Sequence, residues 1–331
     1  MTVRKLIFAP PPIGSTCRLL IFTLVWMLPG FLLHAQQENF FEEVDPDTLT
    51  LSESQQKVID YANSLPYKDG LVVVRLADFW DYQDNGVIGF SIPDFDTQTH
   101  TFHAEEVNFT DTANFSWAGK KSEDGGDFVL YSSSEGKIGF IDLVTDFYSI
   151  FPLGEDLALI LRHNMAEYPE IECAGVTDTT ESSIIEYCEE DDCGSAVVDV
   201  LVLITDSAQA WINANFGVFG QAYLYFGTNS INEALFLSGV PNKVVRTRFI
   251  ANYSPSFTLN NIGNDVLELR DEQETIGSLK YINRADIVLM LTHVEYNSAG
   301  VANTIDPAAA AKYCIVEVQY LLDPRYTFAH E

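Results

Sequence analysis

The final stretch Tyr326-Thr327-Phe328-Ala329-His330-Glu331 ends on two side chains that can do metal chemistry. His330-Glu331 supplies the first two letters of the pattern H-E-x-x-H. On a helix, the first histidine of that pattern binds zinc and the glutamate activates a metal-bound water. The second histidine follows one turn later, so both imidazoles face one metal. The dipeptide also fits an ordinary polar chain end, so the elements upstream must decide between the two.

Other donors are weaker candidates. His100 and His103 lie three apart in an expected strand and so point to opposite faces, which reads as solvated or half-packed histidine rather than a metal pair. His293 follows an apolar strand and reads as a strand-end polar residue. The run Glu189-Glu190-Asp191-Asp192 lacks the spaced oxygens and turn glycine of a calcium loop, and reads as a solvated connector. No G-x-S-x-G, G-x-G-x-x-G or phosphate-loop pattern occurs.

The chain has 331 residues, enough for about two domains, and a hydrophobic content of 47%, which supports packed cores. Its 18 Lys+Arg stand against 48 Asp+Glu. That balance excludes a general phosphate-backbone binder, and no nucleic-acid partner is expected. Arg4, Lys5 and Arg18 precede the apolar run Leu19–Leu33, and Leu33-His34-Ala35 offers a cleavage site. Residues 1–35 therefore read as a signal peptide, with an uncleaved anchor as the alternative. No membrane span is expected after signal cleavage, and the protein is expected to be secreted, extracellular or periplasmic. In such an oxidising compartment cysteines can pair. Cys173, Cys188, Cys193 and Cys314 follow the leader, and three full pairings are open.

Beyond the leader the pattern changes twice. Residues 36–165 read as an antiparallel β-rich domain, with a short helix over 52–64. Strands are expected over 70–76, 86–92 and 99–109, and hairpins over 128–141 and 147–161. Residues 166–195 are acidic and read as a linker that carries Cys173, Cys188 and Cys193. Residues 196–331 change to an α/β pattern: strands over 197–204, 243–250 and 285–292, helices over 207–238 and 259–279, an edge segment at 299–302 and a strand over 314–320. Gly217, Gly220 and Gly227 are places where the first helix can divide. A further helix is expected after Asp323-Pro324, with His330-Glu331 on its opening turns.

This order resembles the upstream part of the reprolysin-like (adamalysin-type) zinc metallopeptidases, a branch of the metzincins. There a β-α-β-α-β unit and two further strands precede the active-site helix. The stretches that carry the resemblance are Val198–Ile204, Ile231–Leu235 with Ser238–Val240, Leu269–Asp271, Ala285–Leu289, Ala299–Ala302 and Tyr326–Glu331. The resemblance implies a metzincin-like upper subdomain, incomplete here, preceded by a β-rich propeptide-like domain of a bacterial secreted type. It implies zinc as cofactor, a protein or peptide substrate, His330 as metal ligand and Glu331 as general base, so that zinc-activated water attacks the peptide carbonyl. It also implies a cysteine-switch role for Cys173, whose thiolate would close the metal's open position, and then a Cys188–Cys193 disulfide with Cys314 left as a buried thiol. The alternative for Cys173 is a disulfide with Cys188, Cys193 or Cys314. The full family motif, H-E-x-x-H-x-x-G-x-x-H with a Met-turn, is matched only at His330 and Glu331. The sequence as it stands therefore reads as a truncated zymogen, inactive for want of two of the three zinc ligands. The other reading is a secreted non-enzymatic binding or surface protein with a β domain and an α/β domain. Nothing in the sequence sets an oligomeric state.

Overall fold

The protein was analysed as a computed structural model that describes residues 39–77, 86–109, 115–121, 125–154, 156–168, 196–237, 243–296, 298–303 and 312–321. The expected signal peptide and the 169–195 part of the linker lie outside these residues. The fold is mixed α/β with a large antiparallel sheet. Among the described residues no helix is long and apolar enough to cross a membrane.

The first sheet is built from β1 (Phe41–Glu43), β2 (Lys68–Leu76), β3 (Val87–Ile92), β4 (Asp96–Phe109), β5 (Phe115–Lys121), β6 (Asp127–Ser133), β7 (Gly136–Asp142), β8 (Phe147–Pro152) and β9 (Leu157–His163). Their order is β1-β2-β9-β8-β7-β6-β5-β4-β3. Every neighbouring pair is antiparallel. The sheet curls until its two edges share one core: the Phe41 and Phe90 rings lie 4.8 Å apart, and Phe128 sits 5.0 Å from Phe90. Strand alternation explains the uninterrupted apolar runs in β6–β9. Phe128, Leu130, Ile150 and Ile160 point into this inner core, while Val129, Tyr131, Phe151 and Leu161 point the other way into a second one. Both faces are buried there, so both register positions are mostly apolar, with Ser149 and His163 as buried polar exceptions.

What covers the second face comes mostly from the other half of the chain. α1 (Glu53–Ser64) lies on it, its start fixed by a capping box between Ser52 and Gln55. β10 (Ala196–Thr205) is followed by α2 (Asp206–Asn215) and α3 (Gly220–Leu237). Then come β11 (Lys243–Tyr253), α4 (Ile262–Asp271), α5 (Ser278–Asn283), β12 (Ile287–Thr292), β13 (Gly300–Ala302) and β14 (Lys312–Glu317). The second sheet runs β11-β10-β12-β14-β13, parallel throughout except for β13, which pairs antiparallel at the edge. Val200, Val202 and Ile204 of β10 face α2–α3, and Leu201 and Leu203 face Ile262, Val266 and Leu269 of α4. Helices α2 and α3 thus lie between the two sheets, within one continuous apolar core.

Each difference from the sequence reading has a physical cause. The helix expected over 207–238 divides at Gly217 and not at Gly227. Gly217 adopts φ +54, a region that costs any residue with a Cβ about 1–2 kcal/mol. Gly227 stays helical, and its missing side chain makes room for Leu321. The helix expected over 259–279 is two helices joined by a π turn at Gln273–Gly277. Strand β14 stops at Glu317 and gives way to a 3-10 turn, Val318–Tyr320, where the expected strand ran on to 320. Strand β5 was not foreseen, since no element was expected between residues 109 and 128. Gly119 is required there: a Cβ would run into the Trp117 ring and the His103 carbonyl.

The Glu135 carboxylate, on the turn between β6 and β7, accepts the Ala222 N–H of α3 at 2.9 Å. A first-half residue therefore caps a second-half helix. Glu135→Ala is expected to lower stability by about 1 kcal/mol. Gly217→Ala is expected to lower it by about 1–3 kcal/mol, because strain at positive φ adds to a clash with Ser54. Urea midpoints at unchanged m-value check both.

Candidate functional site

His330, Glu331, Cys173, Cys188 and Cys193 all lie outside the described residues, so the structure brings none of them together. What it does describe is the carboxyl end of the second sheet. The parallel strands β10, β12 and β14 end side by side, and the carboxyl ends of such strands are where α/β sheets place ligands. Three hydroxyls gather there. Thr205 Oγ1 lies 3.0 Å from Ser207 Oγ, which lies 3.5 Å from Thr292 Oγ1. Thr205 also caps α2 by accepting the Ala208 N–H. The His293 backbone N–H donates to Ser207 Oγ at 3.3 Å. The His293 ring stacks on Trp211, with centroids 5.9 Å apart, and makes no hydrogen bond to Ser207. Ser207 and His293 are therefore neighbours through the backbone and do not form a nucleophile–base pair.

Behind the hydroxyls two carboxylates are buried. Glu317, at the end of β14, is fully buried and accepts the Val294 N–H at 3.2 Å and the Tyr296 N–H at 3.0 Å. Glu295, between them, sits at φ +60, which turns successive N–H groups toward the one carboxylate. Asp265, on the first turn of α4, accepts the Asn260 and Asn261 N–H groups and the Tyr296 hydroxyl, the last at 2.5 Å. Burial, and then that bond to Asp265, push the Tyr296 phenol far above its ordinary range. Both carboxylates thus hold residues 294–296, a few positions before β13. At the far end of β13, Asn303 continues the pairing: its N–H donates to Tyr313 O at 2.9 Å, and its Oδ1 accepts the Tyr313 N–H at 2.7 Å.

Neither carboxylate was singled out from the sequence. The signal was present for Glu317, the one acid inside the apolar run Cys314–Val318, where a charge is tolerated only if its bonds are satisfied.

The remaining histidines among the described residues lie in the first sheet. His100 is buried and its Nε2 meets the Asp96 carboxylate at 2.8 Å, while His103 is exposed, so the two face opposite ways as expected. His100 is more buried than the solvated or half-packed side chain expected: the half-exposed Asp96 engages its Nε2, and its Nδ1 is buried without a hydrogen-bond partner. Burial alone would raise the Asp96 carboxyl, but bonds from the Gln98 N–H and from His100 outweigh it and hold the group below its usual value. His163 Nε2 lies 2.9 Å from Ser149 Oγ, with both side chains buried in the sheet and the Tyr67 ring stacked on the imidazole. A serine–histidine contact sealed in this way has no route for substrate. Cys314 is buried on β14, its thiol donating to Val288 O at 3.7 Å.

Zinc fits none of this. Among the described residues no group of three or more His, Cys, Asp or Glu is placed to hold a metal. The buried carboxylates are already engaged by backbone N–H groups, and His330 alone is one imidazole of a cage that needs three protein ligands.

No protein-family model matches the chain, and no curated protein matches it. Among solved structures, metalloproteinase-II from Bacteroides fragilis aligns over 74% of this chain and 78% of its own, with 10% sequence identity and a TM-score of 0.45. An overlap of that size does not by itself establish a shared fold.

Burial pushes the Glu317 carboxyl up, and the backbone N–H groups of residues 294–296 oppose that shift without cancelling it. A folded-state pKa above the unfolded one contributes stability that is present below the unfolded value and lost as pH rises through the folded value. The stability of the wild-type chain relative to Glu317→Gln should therefore fall as pH rises from the ordinary glutamate range toward neutrality. Urea unfolding of both proteins across that range checks it, and parallel curves would exclude this origin.

Proposed function

We propose that the chain carries the upstream part of a secreted zinc-dependent metalloendopeptidase zymogen, with residues 36–165 as its propeptide-like domain and 166–195 as the linker between the two. The observation that carries the reading is the order of elements after Ala196. A β-α-β-α-β unit is followed by two further strands, β13 and β14, and then by a short interval to His330-Glu331. That is the order in which the reprolysin-like family reaches its active-site helix. In this reading His330 is a zinc ligand, Glu331 the general base and Cys173 the thiolate that keeps the site closed. The remaining ligands would come from sequence after Glu331.

The substrate would be an extended polypeptide. Strand β13 is last in its sheet, so one of its edges has no neighbouring strand among the described residues. An edge of that kind binds an extended peptide through main-chain hydrogen bonds, and the buried carboxylates Glu317 and Asp265 hold the segment that leads into it. Export rests on the leader at residues 1–35.

The encoding DNA past Glu331 tests the reading directly. It should supply x-x-H-x-x-G-x-x-H, in this frame or a shifted one, and the protein so extended should hold one zinc per chain and cleave an unstructured protein such as casein. A stop codon with no such codons in any frame would sink the proposal. For the chain as given, metal analysis after dialysis should find no stoichiometric zinc. Tight one-to-one zinc, lost on His330→Ala, would overturn that expectation.

A further inference from the structure

We infer that residues 40–163 and 196–321 form one co-folded body that outlasts the covalent link between them: a chain cut between Tyr168 and Ala196 stays together as a non-covalent two-piece complex. The inference goes beyond the peptidase reading and does not depend on it.

The surface between the halves has the character of a core. Helices α2 and α3 have apolar side chains on two sides, one for each sheet. Phe216 is fully buried, with Tyr61 of α1 at 5.2 Å and Phe151 of β8 at 6.3 Å. Phe226 is edge-on to Tyr131 of β6 at 5.3 Å and to Phe140 of β7 at 6.3 Å. Trp211 of α2 is edge-on to Tyr61 at 5.5 Å. If the first half left, these rings would face water together on the exposed side of two helices. Soluble monomers rarely carry an apolar patch of that kind. Interfaces that are buried, aromatic and close-packed are typical of obligate association.

Polar groups at the margin fix one geometry for the contact. Glu135 of the first half caps α3 at the Ala222 N–H, and Ser54 Oγ accepts the Val218 N–H at 3.4 Å where the chain turns from α2 to α3. Gly217 lets that turn close on Ser54, since a Cβ there would lie 2.6 Å from the Ser54 hydroxyl. The first half therefore satisfies the start of α3 as well as covering its apolar side. For the zymogen proposed above, a break in the linker would not by itself discharge the first half.

The test uses the full chain with a site-specific protease recognition sequence inserted between Tyr168 and Ala196. After complete cutting, size-exclusion chromatography runs in native buffer with reductant throughout, so that no disulfide through Cys173, Cys188 or Cys193 can hold the pieces. The two pieces should co-elute at the position of the uncut protein. Separation overturns the inference, whether both pieces stay folded or one precipitates. Hydrogen exchange on the uncut chain, at rising sub-denaturing urea, gives a second measurement that needs no insertion. Slow amides of β8 and α3 should merge into one opening reaction. Release of α2–α3 at low urea, with the first sheet still protected, overturns it equally. Neither readout requires metal or activity, so failure of the peptidase reading leaves both interpretable.

Discussion

The ring of Phe216 is gripped by four elements at once. Tyr223 of α3 stacks on it at 4.2 Å, Tyr61 of α1 and Trp211 of α2 lean against it, and Phe151 of β8 closes the far side. Two of those elements precede the acidic linker and two follow it. Burying several large aromatic rings together is worth more than any single polar contact in this molecule. The chain must turn sharply just after this ring to stay inside the packing, which is why a glycine at positive φ follows at 217. The capping contact from Glu135, the close approach of Ser54 and the two-faced strands β6–β9 all follow from having α2 and α3 sealed between two sheets.

That arrangement also explains how the second sheet presents its carboxyl edge. With α2–α3 held on one face and α4 on the other, the ends of β10 and β12 meet the start of α2 in three neighbouring hydroxyls, and β14 ends beside them in Glu317. The segment after β12 has to cross these strand ends to reach β13. A crossing backbone leaves N–H groups without strand partners. Glu317 accepts those of Val294 and Tyr296, and Asp265 accepts the Tyr296 hydroxyl. Burying a carboxylate is costly unless several donors surround it. Here the result is a defined route into an edge strand of only three residues, Gly300–Ala302. These carboxylates act as positioning groups, and the same bonds that let them be buried remove them from any metal chemistry.

Much of the chain was legible because local pattern and tertiary packing agree. Apolar positions of the first half, such as Val129, Phe140 and Leu159, sit in short apolar runs bounded by turn residues, and each run became a strand. Where the two disagree, the reason is a partner distant in sequence. Gly119 weakens a strand until Trp117 lies across it. Gly217 and Gly227 look alike in sequence, yet Ser54 presses on the first and Leu321 fills the space beside the second. Phe40 and Phe41 stand in a polar, acidic stretch and read as nothing in particular, but the curl of the sheet brings Phe90 and Phe128 to them. The buried role of Glu317 depended on the N–H groups of Val294 and Tyr296, which lie 23 and 21 residues upstream, and no local pattern reports them.

The sequence by itself determined the period of each segment, the apolar content that makes two cores possible, the strongly acidic charge balance, and the adjacency of an imidazole and a carboxylate at His330-Glu331. Those are properties of residue types and near neighbours, and they survive without a fold. Only the tertiary structure decided that the two halves share one core, which glycine breaks the helix, and that two acids serve a backbone crossing instead of a metal. Each of these depends on groups far apart in the chain coming within a few ångströms, about the range over which packing and hydrogen bonding act.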